Sequence, residues 1–329
     1  MRSLKFNVSI LPVIIVLNMS CGSDPPTGPI GESYPDSVVA TIDVGNHPID
    51  ISILPSGEYA YVTNLLDDNV SVIRTFDRSV VATISVGDNP WGICALPSGE
   101  YVYVANDLDD NVSVIRSFDN SVVSTVSVGD SPRGICSLPS GDYVYVTNAN
   151  DASVSVICTS DNTLLSTINV GNQPWSICAL TSGEYVYVTN SMDNSVSIIR
   201  TSDQTVISTV SVGIFPWSIC TIPSDEYVYV ISKVANNLSI IQTTDNSVAA
   251  TIDLIYLPSN ICSLPSGEYL YAIANSDGGF IRIIRTSDNS VVETIHIGYS
   301  MEPMGICSHP SGETVYVVNR SGNCVSVIQ

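Results

Sequence analysis

Positive charge is what this sequence lacks most. Its 11 Lys and Arg residues face 32 Asp and Glu, a formal net charge of −21, and no segment gathers its basic residues into a cluster. Nucleic acid is thereby excluded as a partner, because holding a phosphate backbone takes a basic footprint. Histidine is scarcer still: His47, His296 and His309 fall at unrelated points of the chain. None of the GxSxG, HExxH, P-loop or CxxCH patterns occurs, so there is no motif for a serine hydrolase, a zinc protease, a nucleotide site or attached haem. No catalytic residue, metal or cofactor is expected. The spacing of an amphipathic helix is also missing, and the apolar run at residues 8–19 is too short to cross a bilayer as a helix.

What the sequence does hold is Val, Ile, Thr and Tyr in short runs, broken by Gly, Pro, Asn and Asp, and it repeats. The stretch NPWGICALPSGEYVYVAND at residues 89–107 returns as SPRGICSLPSGDYVYVTN at 131–148 and NQPWSICALTSGEYVYVTN at 172–190. The period is about 42 residues, with equivalent positions at Gly45, Gly87, Gly129, Gly171, Gly213, Ile255 and, after one inserted residue, Gly298. A fixed period of about 40 to 45 residues built from β-type runs marks propeller blades, since one small sheet cannot bury its own two faces. The expected fold is all-β: a single seven-bladed β-propeller domain over residues 36–329, its blades four-stranded and antiparallel. In the third copy the strands are expected at 121–128, 134–138, 143–148 and 153–158, with Pro139 and Gly141 shaping the turn between the second and third.

The tetrapeptides Tyr61-Val62-Thr63-Asn64, Tyr145-Val146-Thr147-Asn148 and Tyr187-Val188-Thr189-Asn190 carry a resemblance to the YVTN-type β-propeller repeat family, which extends over everything after the first 35 residues. Tyr103-Val104-Ala105-Asn106 departs at one residue, and the copies starting at Tyr229, Tyr271 and Tyr316 depart further. The resemblance implies a seven-bladed propeller of the cell surface or periplasm in binding or scaffolding roles. It also implies a strand order, with the run after the loop proline innermost and the SVVxT run outermost. The first copy begins with its outermost strand, residues 37–44, and the last stops one strand short at 324–329. The two ends are therefore expected to pair and close the ring.

Ahead of the repeats, Arg2 and Lys5 precede the apolar run, the pattern of a signal peptide over residues 1–20. The segment Asn18-Met19-Ser20-Cys21 is similar to a bacterial lipoprotein signal, with Asn18 where that box prefers leucine, and a Gly/Ser/Pro-rich tether follows to residue 35. The expectation is an exported chain, lipidated at Cys21 and so anchored to a membrane, on its periplasmic face or at the surface of a bacterium. Gly22 after the cysteine fits, by resemblance, export beyond the inner membrane. A monomer is expected.

Export implies an oxidising compartment, yet Cys94, Cys136, Cys178, Cys220, Cys262 and Cys307 share one repeat position on the innermost strand, where the first copy has Ser52. Equivalent points on neighbouring blades should lie beyond the roughly 7 Å between Cα atoms that a disulfide spans. A ring of small buried side chains is expected, with a ring of metal-binding thiolates as the alternative. Cys158 and Cys324 are expected as exposed thiols.

The residue after the loop proline varies most between copies: Ile49, Trp91, Arg133, Trp175, Trp217, Ser259 and Met304. These should surround the channel mouth on one face, and they include all three tryptophans of the protein. The loop between second and third strands opens on that face and brings Asp67, Asp68, Asp107, Asp109, Asp110, Asp151 and Asp193. An aromatic collar rimmed by carboxylates suits sugars or a partner's cationic side chain; packing between two blades is the plainer role for each tryptophan. Asp107-Leu108-Asp109-Asp110-Asn111 resembles a calcium loop but lacks its ligand spacing and terminal Glu. The expected function is non-enzymatic: a membrane-tethered propeller that binds protein or glycan, with Trp91, Arg133, Trp175, Trp217, Met304, Asp107, Asp109, Asp110 and Asp193 as candidate contacts. The alternative is an enzyme or enzyme subunit, since similar propellers include lactonases, lyases and subunits of periplasmic dehydrogenases. It would require His47, Arg133 and carboxylates to converge in one pocket.

Overall fold

The computed structural model describes residues 34–254, 257–275 and 278–329, so the leader, Cys21 and nearly all of the tether lie outside the described residues. Among the described residues the regular structure is 28 strands in seven antiparallel sheets of four. Blade one shows the order from the centre outward: Pro48–Ile53, Tyr59–Asn64, Asn69–Arg74 and Ser79–Ser85. Innermost strands of successive blades lie side by side, and that of blade seven, Pro303–Ser308, contacts that of blade one, which closes the ring.

Composition tracks depth within a blade. The second strand of blade two, Tyr101–Asn106, is buried at every position but its first. A strand covered on both faces reads as an unbroken run of Val, Ala and Tyr, because a neighbouring blade lies over each face. The outermost strand, Ser121–Ser127, is mostly exposed and buries only Val126. The apolar core therefore lies between blades. One cluster joins Tyr61, Val70, Val72 and Ile84 of blade one to Ile93, Val102, Val104 and Ile115 of blade two. Similar clusters recur around the ring. Buried tyrosines carry a polar end through this core: Tyr61, Tyr103 and Tyr187 donate to Asn120, Asn162 and Asn246 of the following blade at 3.0, 2.6 and 3.0 Å. Tyr271 of blade six donates instead to the carbonyl of Pro35 (2.7 Å), just ahead of the closing strand.

Closure is as expected. Val38–Asp43 pairs antiparallel with Cys324–Ile328, from Val38 opposite Ile328 to Asp43 opposite Cys324. In the third copy the innermost strand starts at the proline, Pro132–Ser137, two residues earlier than expected, and the outermost ends at Ser127. One expectation fails: Cys324 is not an exposed thiol but, at the start of the last strand, is only 4 % exposed, its sulfur accepting from Asn319 Nδ2 at 3.5 Å. Cys158 ends a strand and is half-buried beside Ser160.

Candidate functional site at the channel mouth

Each blade turns its second strand into its third, and enters its first, on the same end of the ring. The loop residues there adopt left-handed backbone, from His47 and Asn89 to Phe215, whose φ is 61°. The seven side chains after the loop proline do meet: Ile49, Trp91, Arg133, Trp175, Trp217, Ser259 and Met304 all line one cavity, together with Asp50 and Asn260. That cavity encloses only about 70 Å³. A ligand pocket usually offers about 300 to 1,000 Å³, so the mouth itself is too narrow for a sugar ring. Gly92 helps keep it narrow, because a Cβ there would lie 2.1 Å from the carbonyl oxygen of Arg133 on the next blade.

The aromatic collar is already engaged with the chain's own cations. Trp175 packs on Trp217 with centroids 3.8 Å apart and meets Trp91 edge-on at 5.7 Å. Arg133 places its guanidinium carbon 4.1 Å from the Trp175 centroid and 4.9 Å from that of Trp91. Phe215 stacks against Trp217 at 5.6 Å, and the Lys233 ammonium sits 4.2 Å from the same ring. A cation over an indole face contributes about 0.5 to 2 kcal/mol, more as water is excluded. The expectation that these faces await a partner's cation is thus met from within the chain.

The expected carboxylate rim divides by task. Asp107 is buried and accepts from Ser131 Oγ, from Arg133 Nε at 3.0 Å and from Asn89 Nδ2 at 3.2 Å. It thereby fixes the arginine that stacks on the collar. Asp109 accepts from the Asp88 N–H (2.9 Å), Asp110 from that of Ser131 (3.0 Å), and Asp193 from the Asn172 backbone (2.7 Å) and side chain (2.9 Å). Asp67, Asp68 and Asp151 do the same for Asn46, Asn89 and Asp130. These carboxylates hold neighbouring loops together rather than project as one acidic surface; within the calcium-like segment Asp109 turns to Asp88, while Asp107 and Asp110 both reach Ser131, at its hydroxyl and its N–H. Among the described residues no three His, Cys, Asp or Glu side chains gather as a metal ion would need.

The histidines stay apart. His47 is not among the residues lining the cavity, His296 packs against Phe280 and Tyr299, and His309 bonds Ser311 and the Gly57 carbonyl at the opposite end. The six repeat-position cysteines are free and half-buried along the channel. Dense surroundings push their thiols up, those of Cys220 and Cys307 to about 12 and those of Cys136, Cys178 and Cys262 well above the usual range. They are protonated at neutral pH, so a free nucleophilic thiolate is not populated there.

Asp50 escaped sequence reasoning. It stands one residue past the variable position, where other blades have Gly92, Gly134, Ser176, Ser218, Asn260 and Gly305. Its oxygens accept from the Ile51 N–H at 2.9 Å and the Ile93 N–H at 3.3 Å, yet burial raises its carboxyl to about 6. A raised carboxylate favours the folded state while protonated, and that stability disappears as pH rises from about 4 through 6. At about 1.4 kcal/mol per unit, roughly 2 to 3 kcal/mol is at stake. Asp50→Asn should therefore melt above wild type at pH 8 and lose that advantage by pH 4; calorimetry at both pH values checks it. Asn260 shows that an amide fits this position, accepting from the Ile261 N–H (2.8 Å) and donating to the Met304 carbonyl (2.9 Å).

Beside the narrow mouth opens a larger cleft of about 580 Å³, bounded by Trp91, Trp217, Met304, Lys233, Glu302 and Arg320, with Asn275 and Ser300. Sequence reasoning missed Lys233, Asn275 and Arg320, although all three occupy the position after the second strand, where blade two has Asp107.

The fold is that of known propellers. The chain is similar to Kuenenia stuttgartiensis hydrazine synthase, at 20% identity and TM-score 0.78 over 90% of this chain and 99% of that one. It is likewise similar to the Cps50 (Swd1) β-propeller domain of Myceliophteria thermophila, at 12% identity and TM-score 0.79 over 89% of this chain and 99% of that one. No protein-family model and no curated protein matches the sequence. At such identities the likeness establishes the seven-bladed propeller architecture and leaves function to the site.

Proposed function

We propose that this chain is a non-enzymatic binding module: a YVTN-type propeller, exported and lipid-anchored through Cys21, that takes a protein or glycan at its channel-mouth face. The observation that carries this function is the concentration on one end of the ring of all three tryptophans, Phe215, Arg133, Lys233 and Arg320, beside a cleft of ligand size. His47 lines neither the cavity nor the cleft. A catalytic alternative has one specific support, Asp50 with its carboxyl near 6 in the same cavity as Arg133, in a fold shared with hydrazine synthase.

A glycan array and a protein pull-down with the protein and with a Trp91→Ala, Trp175→Ala, Trp217→Ala variant test the binding function, with melting curves for both. The variant is expected to stay folded and to lose its partners. A folded variant that keeps every partner places function elsewhere on the ring.

A further inference from the structure

The end of the ring opposite the mouth carries two phenylalanines that stand almost wholly in water. Phe76 and Phe118, 92 and 93 % exposed, sit on the turns between the third and outermost strands of blades one and two, where later copies have Ser160, Ser202, Thr244 and Ser287. Exposed valines follow each of them, Val80 and Val81 in blade one and Val122 and Val123 in blade two, at the start of the outermost strand. The closing strand of blade seven lies beside the outermost strand of blade one and adds Val39, also exposed. Three successive blades thus share one apolar corner, the kind of surface that meets a membrane or a protein.

The way the chain enters the ring favours the membrane. The Ser37 N–H bonds the Gln329 carbonyl at 3.2 Å, and the Gln329 side-chain oxygen accepts at 2.8 Å from Arg78, two residues past Phe76. The tether therefore joins the ring at this same corner. Only about twelve residues separate Cys21 from Tyr34, a reach of about 40 Å at most, so an acyl anchor keeps the corner beside the bilayer at an effective concentration on the order of millimolar. The local charges suit an interface as well. Arg74 and Arg116 pair with Asp77 and Asp119, and Arg78 donates to a neutral amide; long arginine stems lie well along an apolar boundary. Glu58 and Glu100 belong to the turns between first and second strands, nearer the channel than the phenylalanines.

We propose that this corner docks on the bilayer, with Phe76 and Phe118 inserted at the boundary between headgroups and acyl chains. This rests on the lipid anchor proposed above and goes beyond it by assigning the surface that meets lipid. The consequence is an orientation: the channel mouth, at the other end of the ring, faces away from the membrane.

Tryptophan quenching tests it, with the protein purified from a bacterial host and reconstituted in vesicles of phosphatidylcholine whose acyl chains carry bromine, a quencher at close approach. Wild type is expected to keep its emission, since all three tryptophans stand at the mouth. Phe76→Trp and Phe118→Trp should each add emission that bromine quenches at least threefold more strongly than that of Ser202→Trp, on the same turn of blade four. Adding Phe118→Ser to the Phe76→Trp protein should cut that quenching at least twofold, with melting temperatures unchanged because these side chains are exposed. Tip tryptophans quenched no more than Ser202→Trp, or quenching of the mouth tryptophans, overturns the docking. Mass spectrometry of Cys21 reads the anchor separately: an acylated protein whose tips escape the bromine keeps the anchor and loses the docking. If Cys21 carries no acyl chain the anchor fails, and the same variants, held on nickel-chelating lipid by a hexahistidine tag ahead of residue 22, decide the docking alone.

Discussion

Deleting residues 37–44 is expected to lower the melting temperature by more than 10 °C and to split or broaden a single transition. The segment contributes the whole outermost strand of blade seven, five aligned residues opposite Cys324–Ile328. It is joined by further backbone bonds from Ser37 and Val44 to Gln329 and Asn323 at 3.2 and 3.0 Å. Its Ile42 is buried between blade seven and blade one, packed with Ile51, Ile53, Val325 and Val327. At about 1 kcal/mol per ladder bond and about 1.5 to 3 kcal/mol for a buried isoleucine, the loss approaches the 5 to 15 kcal/mol that typically holds a whole domain. It also bares the edge of Cys324–Ile328, an invitation to association, so the deletion should elute in part as oligomer. A peptide of residues 37–44 added in trans should restore part of the stability, as strand addition does elsewhere. Circular dichroism melting decides: a deletion that melts as sharply and as high as wild type would show that closure contributes nothing.

Asp107→Ala is expected to cost about 3 kcal/mol, or roughly 5 °C in a chain of this length. Asp107 and Arg133 are only 8 and 19 % exposed, so truncating the carboxylate strands a guanidinium away from water and releases Ser131 and Asn89 as well. Removing both partners, Asp107→Ala with Arg133→Leu, should recover most of the loss, because an apolar pair needs no compensation. Since every tryptophan belongs to the collar, intrinsic fluorescence reports on it alone: the single variant should shift emission as Arg133 leaves Trp91 and Trp175. A single variant as stable as wild type, with unchanged emission, would mean that the pair does not hold the collar.

The repeat made the architecture legible before any coordinates. Strand content and blade number follow from a period of about 42 residues, whereas strand order, and with it closure through the strand that opens the first copy, was what the resemblance to YVTN-type propellers implied. The variable ring was legible too, because a position that changes among otherwise regular copies stands out. What the repeat could not convey is direction. Asp109 and Asp193 look like a rim on paper, but their carboxylates turn back to loop N–H groups that a linear pattern does not show as unpaired. Arg133, Lys233 and the tryptophans come from different blades, and their stacking depends on side-chain reach across the ring. Lys233 did carry a signal, as the lone lysine after Lys5, at the repeat position that also holds Asp107 and Arg320. Cys324 misled because the last copy is short: the turn before it looks like a loop, while the closing strand covers it.

The lead-in to the closing strand has a mechanical consequence. Tyr34 packs on Tyr269 with centroids 4.6 Å apart and donates to Glu293 at 3.2 Å, while Tyr271 grips the Pro35 carbonyl. All three partners belong to blade six, although the strand that follows belongs to blade seven. Tension drawn through the N-terminal end is therefore taken up first by blade six. The zipper between Val38–Asp43 and Cys324–Ile328 feels a pull only after that clamp has slipped, so the neighbouring blade shields the seam at which the ring closes.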